Sequence, residues 1–259
     1  MVGAPGPNEI DPSSLDLEFG EPIGPSYGSW FGADQLGRDV FSRTIYGARA
    51  SLVVAIPATL VALVLGMCVG ILAGYRRGWL DTVLSRSVEA FLVIPYLLLA
   101  IGVATSCAGP EGCLGGTLRP GMPLVIFVIA VALWPWVARL TRSQTIVLSH
   151  ADYVQQARVS GLSSVRIMAT EILPNLKGLV PTFLAILLPQ AILAEAGISF
   201  VGVGLPVTMS SWGQQIAGGS TYFPDAWWVM FFPGLALLFT VISIVTIGGW
   251  FRGRNGATR

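Results

Sequence analysis

The sequence predicts an all-α protein, a polytopic membrane helix bundle, and three observations lead there. Hydrophobic residues make up 53% of the 259 and charged residues only 11%, against roughly 25% charged in an ordinary soluble domain. Five apolar stretches, at about 51–74, 82–105, 123–141, 178–200 and 226–249, are each long enough to cross a hydrocarbon core of roughly 30 Å as a helix. Between the third and the fourth lies a polar but helix-compatible segment, 142–177. No packing need inside a bilayer explains it.

Residues 1–50 are Gly- and Pro-rich and acidic, with seven carboxylates against three arginines. No basic stretch followed by an apolar core occurs there, so they do not form a signal peptide. The stretch 51–74 contains Gly66 and Gly70, a small-xxx-small pair that favours close helix approach. Cys68 beside them reads as a small packing residue. Pro57, Pro95, Pro135, Pro181 and Pro189 fall within the apolar stretches, where neighbouring helices can satisfy the carbonyls that proline frees. Trp227, Trp228 and Trp250 mark the two ends of the last stretch as an aromatic belt.

The balance of Lys and Arg sets the orientation. Loops 75–81 and 142–177, the adjoining helix ends and the C-terminal tail hold eleven, whereas the other side holds four: Arg38, Arg43, Arg49 and Arg119. The expected organisation is therefore an extracytoplasmic segment 1–50, a transmembrane domain 51–250 and a cytoplasmic tail 251–259, with 142–177 also in the cytoplasm. A 50-residue segment exported without a signal peptide needs a membrane helix ahead of it, so a first helix is expected to precede residue 1.

The middle segment has its own punctuation. Asp152 is a reasonable N-cap, Tyr153 to Ser160 can form a short helix, and Gly161 allows a left-handed exit. Ser163 and Ser164 can start a second helix running to Leu173, which Pro174 is expected to stop. A helix–Gly–helix element held between two membrane helices is a lever that something outside the bilayer can grip. The plainer reading is a solvated loop without a partner.

These residues resemble a known family. Gln155-Gln156-Ala157, Gly161 and Leu173-Pro174 are similar to the Glu-Ala-Ala…Gly…Leu-Pro loop of binding-protein-dependent ABC importer permeases. The segment from Phe31-Gly-Ala-Asp-Gln-Leu-Gly-Arg-Asp to Ser51 looks like the one that follows the first helix in C-type dipeptide/oligopeptide permeases. Ala194-Glu-Ala-Gly-Ile-Ser-Phe-Val-Gly-Val-Gly204 and Ser211-Trp212-Gly213 look like the end of the fifth helix and the next loop of that group. The resemblance covers nearly all of 29–250. It implies a type I importer fold of six helices, and a subunit that pairs with a homologous B-type permease in a heteromeric complex. One or two cytoplasmic ATPase subunits would drive it, and an extracytoplasmic solute-binding protein would deliver a peptide. Within the resemblance, 152–166 is the coupling helix region, with Asp152, Tyr153, Gln155, Gln156, Ala157, Gly161, Leu173 and Pro174 as its residues. Gln155 and Gln156 depart from the family's Glu and Ala, which removes a charge-assisted contact.

Other residues carry open alternatives. Glu89 sits one turn from Arg86, which points to a local ion pair. Glu195, with Ser199 a turn later, must face the bundle interior or the pathway because a charge in hydrocarbon is costly; it either lines the translocation path or partners a neighbouring helix. Arg38 and Asp39, with Arg43, and Trp212 in the outer loop 201–225 either touch the binding protein or anchor the outer loops. Cys107 and Cys113 flank a turn-rich spacer and are a candidate disulfide if that loop faces an oxidising compartment.

The remaining chemistry is excluded by what the chain lacks. The one histidine, His150, has no carboxylates around it, so no metal site is expected. No Gly-x-x-x-x-Gly-Lys-Ser/Thr loop occurs, so ATP and Mg would be bound by the partner ATPase and the subunit itself is non-catalytic. There is no basic run for nucleic acid; lipid is the medium. The expected function is a permease for dipeptides or short oligopeptides in the inner (plasma) membrane, with the C-terminus cytoplasmic. Nickel complexes or haem are the alternative cargoes. An ion-gradient-driven secondary transporter is the alternative class, expected to show paired buried carboxylates or discontinuous helices in related halves.

Overall fold

The computed structural model describes residues 6–15, 21–26, 29–107, 121–206 and 208–256. Its α-helices are α1 (Val40–Arg76), α2 (Trp79–Val93), α3 (Tyr96–Ser106), α4 (Met122–Ser149), α5 (Asp152–Val159), α6 (Ser164–Ile167), α7 (Leu173–Leu176), α8 (Val180–Phe200), α9 (Trp212–Ser220) and α10 (Trp228–Gly256). Among the described residues four helical runs are long and apolar enough to cross a membrane, and α2 with α3 makes a fifth if the bent pair counts as one span.

Helix α1 starts at Val40, well ahead of the apolar stretch from 51, so part of the expected N-terminal segment is helix. Apolarity locates a membrane crossing, but the cap locates the helix start. The Asp39 carboxylate accepts the Ser42 N–H at 2.8 Å, satisfying one of the donors that a first turn leaves open.

Helices α1 and α4 form the centre of the bundle and run side by side in the same direction. Gly66, Gly70 and Gly74 face α4. A Cβ at Gly70 would lie 2.6 Å from both the Ala138 carbonyl oxygen and Thr141 Cβ, and one at Gly74 2.7 Å from Thr145 Cβ. Only hydrogen allows backbones this near. Ala58 and Ala62 continue the same four-residue stripe and are fully buried. On the opposite face Val53, Ile56, Leu60, Val64 and Leu72 are exposed, an apolar surface suited to hydrocarbon. Cys68 lies on that outer face. The expectation that it packs inside is corrected: two residues from both glycines, it points about half a turn away from them.

The second predicted span is broken. Helices α2 and α3 meet at 88°, with Ile94 extended at φ −78°, ψ 122°. Pro95 lacks the N–H and pushes the residue before it out of the helical region. Pro135 and Pro189 stand buried inside continuous α4 and α8. At Pro95 the neighbours Val93, Ile94 and Tyr96 are all exposed, so no close packing at the corner itself holds the two halves in line.

Pro174 does not end a helix either. From Ser164 to Phe200 the chain is one helical run, interrupted by a π turn at Met168–Ile172 and a 3-10 turn at Lys177–Leu179. Pro174 stands in the first turn of α7, where a missing N–H is tolerated. Ile167, Ile172 and Leu176 are buried in succession. Their spacings of five and then four show why a π turn is needed: the extra residue keeps Ile172 on the inward face.

At the end of the bundle where α1 begins, the chain after α8 folds back as a loop and α9. Trp212 Nε1 donates to the Thr44 carbonyl at 2.8 Å, and Gln215 Nε2 to the Arg43 carbonyl at 2.9 Å. Gly213 is pressed against the Ala196 backbone. The start of α10 is held by Trp228 Nε1 donating to Ala33 O at 3.0 Å and by Phe31 stacked on Phe232 at 4.0 Å. Trp228 is therefore buried in this contact and does not belong to an aromatic belt, whereas Trp227 and Trp250 are exposed.

Candidate functional site

The other end of the bundle carries the candidate site. Helix α4 runs through to Ser149, past the boundary at 141 that hydropathy set, and α5 follows after a two-residue corner. Ala151, extended at φ −67° and ψ 145°, occupies the N-cap position without a side-chain bond. Asp152 is thus corrected from cap to first helical residue. It is exposed there, where its charge favours the helix N-terminus. Gly161 has φ +82°, the left-handed exit expected of it, and Ser163 caps the next helix by accepting the Arg166 N–H at 3.4 Å.

Helix α5 has two different faces. Val154 is fully buried and Ala157 packs partly against the main core. Gln155 Nε2 donates to the Ser149 carbonyl at 2.9 Å, satisfying an orphan carbonyl at the end of α4. The outward face carries Asp152, Tyr153, Gln156 and Val159; Val159 is 89% exposed, and Val165 beyond the turn is 65% exposed.

Of the predicted residues, Asp152, Tyr153 and Gln156 share that outward face, whereas Gln155 and Ala157 turn inward. Leu173 and Pro174 are exposed but lie beyond the π turn, on a different helix. Sequence reasoning missed the braces beneath α5: Val154, Ile167, Ile172, and the Arg158 guanidinium 5.5 Å over the Tyr75 ring. The buried apolar spacing was readable as a signal; the arginine–tyrosine contact, 83 residues apart in sequence, was not.

Near the end of α8 Glu195 is fully buried in the interior of the bundle. It accepts Ser51 Oγ at 2.6 Å and Ser199 Oγ at 2.7 Å. Both of its oxygens are engaged, one of them by a different helix, and no surface of the chain exposes it. This is the geometry of a helix partner; Ser51 had no sequence signal. Arg86 and Glu89 form the local pair the spacing indicated, at 2.9 Å on the surface.

The outer candidates are anchors in geometry. Arg38 pairs with buried Asp34 at 2.7 Å, and Arg43, itself buried, reaches Asp34 at 3.4 Å and the Pro7 carbonyl at 2.9 Å. Asp39 caps α1, and Trp212 is only 2% exposed, which leaves it no face for a binding protein. Cys107, at the end of α3, is buried and disulfide-bonded; Cys113, its predicted partner, lies outside the described residues.

Comparison with known proteins places this architecture. Residues 66–255 match the family described as binding-protein-dependent transport system inner membrane component. A putative peptide transport system permease protein of Brucella suis is 38% identical over 222 residues, covering 86% of this chain and 71% of that protein. The dipeptide transport system permease protein DppC of Bacillus subtilis is 34% identical over 225 residues, covering 86% and 67%. The glutathione transport system permease protein GsiD of Pectobacterium atrosepticum is 33% identical over 229 residues, covering 88% and 72%. Among solved structures, an inward-facing conformation of the MetNI methionine ABC transporter matches with a TM-score of 0.65 at 20% identity, over 81% of this chain and 94% of that one, a likeness of fold. With its family matched over most of its length and its helices arranged as in that transporter, the chain belongs to the binding-protein-dependent transport system inner membrane components and is a multi-pass membrane permease.

Proposed function

We propose that this chain is the permease subunit of an ATP-driven importer of dipeptides or short oligopeptides, forming half of the translocation path. The observation that carries the proposal is the division of α5: a buried face fixed to the bundle and an outward face of Asp152, Tyr153, Gln156 and Val159. Relatives named for peptide, dipeptide and glutathione transport support the cargo class.

In this reading the α5 end is cytoplasmic, as the excess of Lys and Arg there requires, and so is the C-terminus. A B-type permease completes the path, one or two ATPase subunits bind ATP and Mg, and a binding protein delivers the peptide from outside. The chain performs no chemistry. Its own work is mechanical: α5 receives displacement from an ATPase, and the glycine-lined α1/α4 pair carries it across the membrane. The Glu195 clasp to Ser51 fastens α8 to that pair.

Coupling between nucleotide and cargo must be reciprocal in free energy. In the reconstituted complex, peptide-loaded binding protein is therefore expected to raise the ATPase rate above that with unloaded binding protein. Equal rates would contradict the proposal. Calorimetry of the cognate binding protein with dipeptides, nickel and haem identifies the cargo.

A further inference from the structure

We infer that Arg158 and Tyr75 are positioning residues that strap the coupling helix to α1, so that α1 and α4 are displaced together when α5 is pushed. The inference rests on the coupling reading of α5 above. Its basis is that α5 carries two fastenings aimed at two different helices. Gln155 Nε2 holds the last turn of α4 through the Ser149 carbonyl at 2.9 Å. One turn further along α5, the Arg158 guanidinium covers the Tyr75 ring at 5.5 Å, and Tyr75 lies in the last turn of α1. Val154 is fully buried between them.

Among the described residues the Arg158 guanidinium contacts the Tyr75 ring, while the Arg158 carbonyl accepts the Gly161 N–H at 3.1 Å and holds the turn after α5. Tyr75 is half-buried and packs against the main core, so the ring that receives the cation is itself fixed. A cation over an aromatic face is directional and survives at a wet surface, where an ordinary ion pair contributes little. The two helices so strapped are those already pressed together along Gly66, Gly70 and Gly74. A displacement at α5 thus enters the pair through the last turns of both helices, rather than through one helix alone.

Pulsed electron paramagnetic resonance on the assembled complex in nanodiscs tests this, with spin labels at Gln156 and Val53. Val53 is exposed on α1, about 33 Å along the helix from Tyr75 at 1.5 Å per residue, a span the method measures well. The expected result is one narrow distance distribution, the same without nucleotide and after trapping with ATP and vanadate. Tyr75→Leu and Arg158→Gln are each expected to lower the ratio of strapped to unstrapped population about two- to fivefold, the double variant no further, and Tyr75→Phe is expected to restore it. An unchanged distribution in Tyr75→Leu, or a shift between nucleotide states in the unaltered chain, overturns the strap. A separate disulfide cross-link between Gln156→Cys and the ATPase distinguishes the two readings: its absence fails the coupling reading, whereas its presence beside an unchanged Tyr75→Leu distribution fails the strap alone.

Discussion

Glu195 illustrates how burial assigns a role that composition leaves open. A carboxylate in an apolar helix is read from sequence only as needing shelter, and two shelters were available. Its two hydroxyl donors, Ser51 and Ser199 at 2.6 and 2.7 Å, make it a clasp between α8 and α1. Glu195→Ala removes the acceptor from two buried hydroxyls and is expected to cost about 1–3 kcal/mol of stability. Thermal unfolding of the purified complex measures this. Glu195→Ala that leaves the unfolding temperature unchanged but abolishes uptake would instead return the residue to the pathway. Ser51 stands 144 residues away in sequence, so only the fold could pair it with Glu195. Gln155 gives the same lesson with the sign reversed: the family motif marks it as a contact for the ATPase, yet its amide is used inside the chain, on Ser149.

At the scale of elements, what was legible followed from period and punctuation. The glycines at 66 and 70 predicted a close approach, and the structure lengthens the seam to Gly74. Gly70→Val would drive a Cβ to within 2.6 Å of the Ala138 carbonyl oxygen. Overpacking of this kind typically costs about 1–3 kcal/mol, so a lowered unfolding temperature and reduced membrane yield of the complex are expected; yield and melting equal to those of the unaltered chain would contradict the seam. Gly161, at φ +82° with open space around it, tolerates volume but not a Cβ in that conformation. Gly161→Val is expected to re-aim the turn at about 1–2 kcal/mol, lowering uptake per ATP hydrolysed while membrane yield stays unchanged. The illegible elements share a cause. The early start of α1 depends on the Asp39 cap, and the 88° corner falls at Pro95, where Val93, Ile94 and Tyr96 are exposed, whereas Pro135 and Pro189 are buried inside continuous helices. A proline in a sequence does not say which helix will pack beside it.

At the scale of the whole molecule, the fold class and the resemblance to C-type dipeptide permeases were both readable, because apolar length and collinear motifs survive without knowledge of contacts. The relatives named DppC and the shared fold with a methionine ABC transporter agree with that reading. The contacts that tie the helices together were not readable: the Trp212 and Gln215 bonds at the end where α1 begins, and the fastenings of α5 at the other. Inside-out burial also separates this bundle from a soluble one. Exposed Val, Ile, Leu and Phe side chains run along α1 and α10, a surface suited to lipid or another membrane subunit.

On the proposed function the outward face of α5 is held by an ATPase on the cytoplasmic side, and a cysteine at position 156 reports on that contact. Gln156→Cys is exposed on that face and is expected to form an oxidative cross-link with an ATPase subunit in native membranes, in a yield that changes on trapping with ATP and vanadate. The same cysteine labelled by a membrane-impermeant maleimide added outside intact cells, with no cross-link to the ATPase in any nucleotide state, would contradict the account.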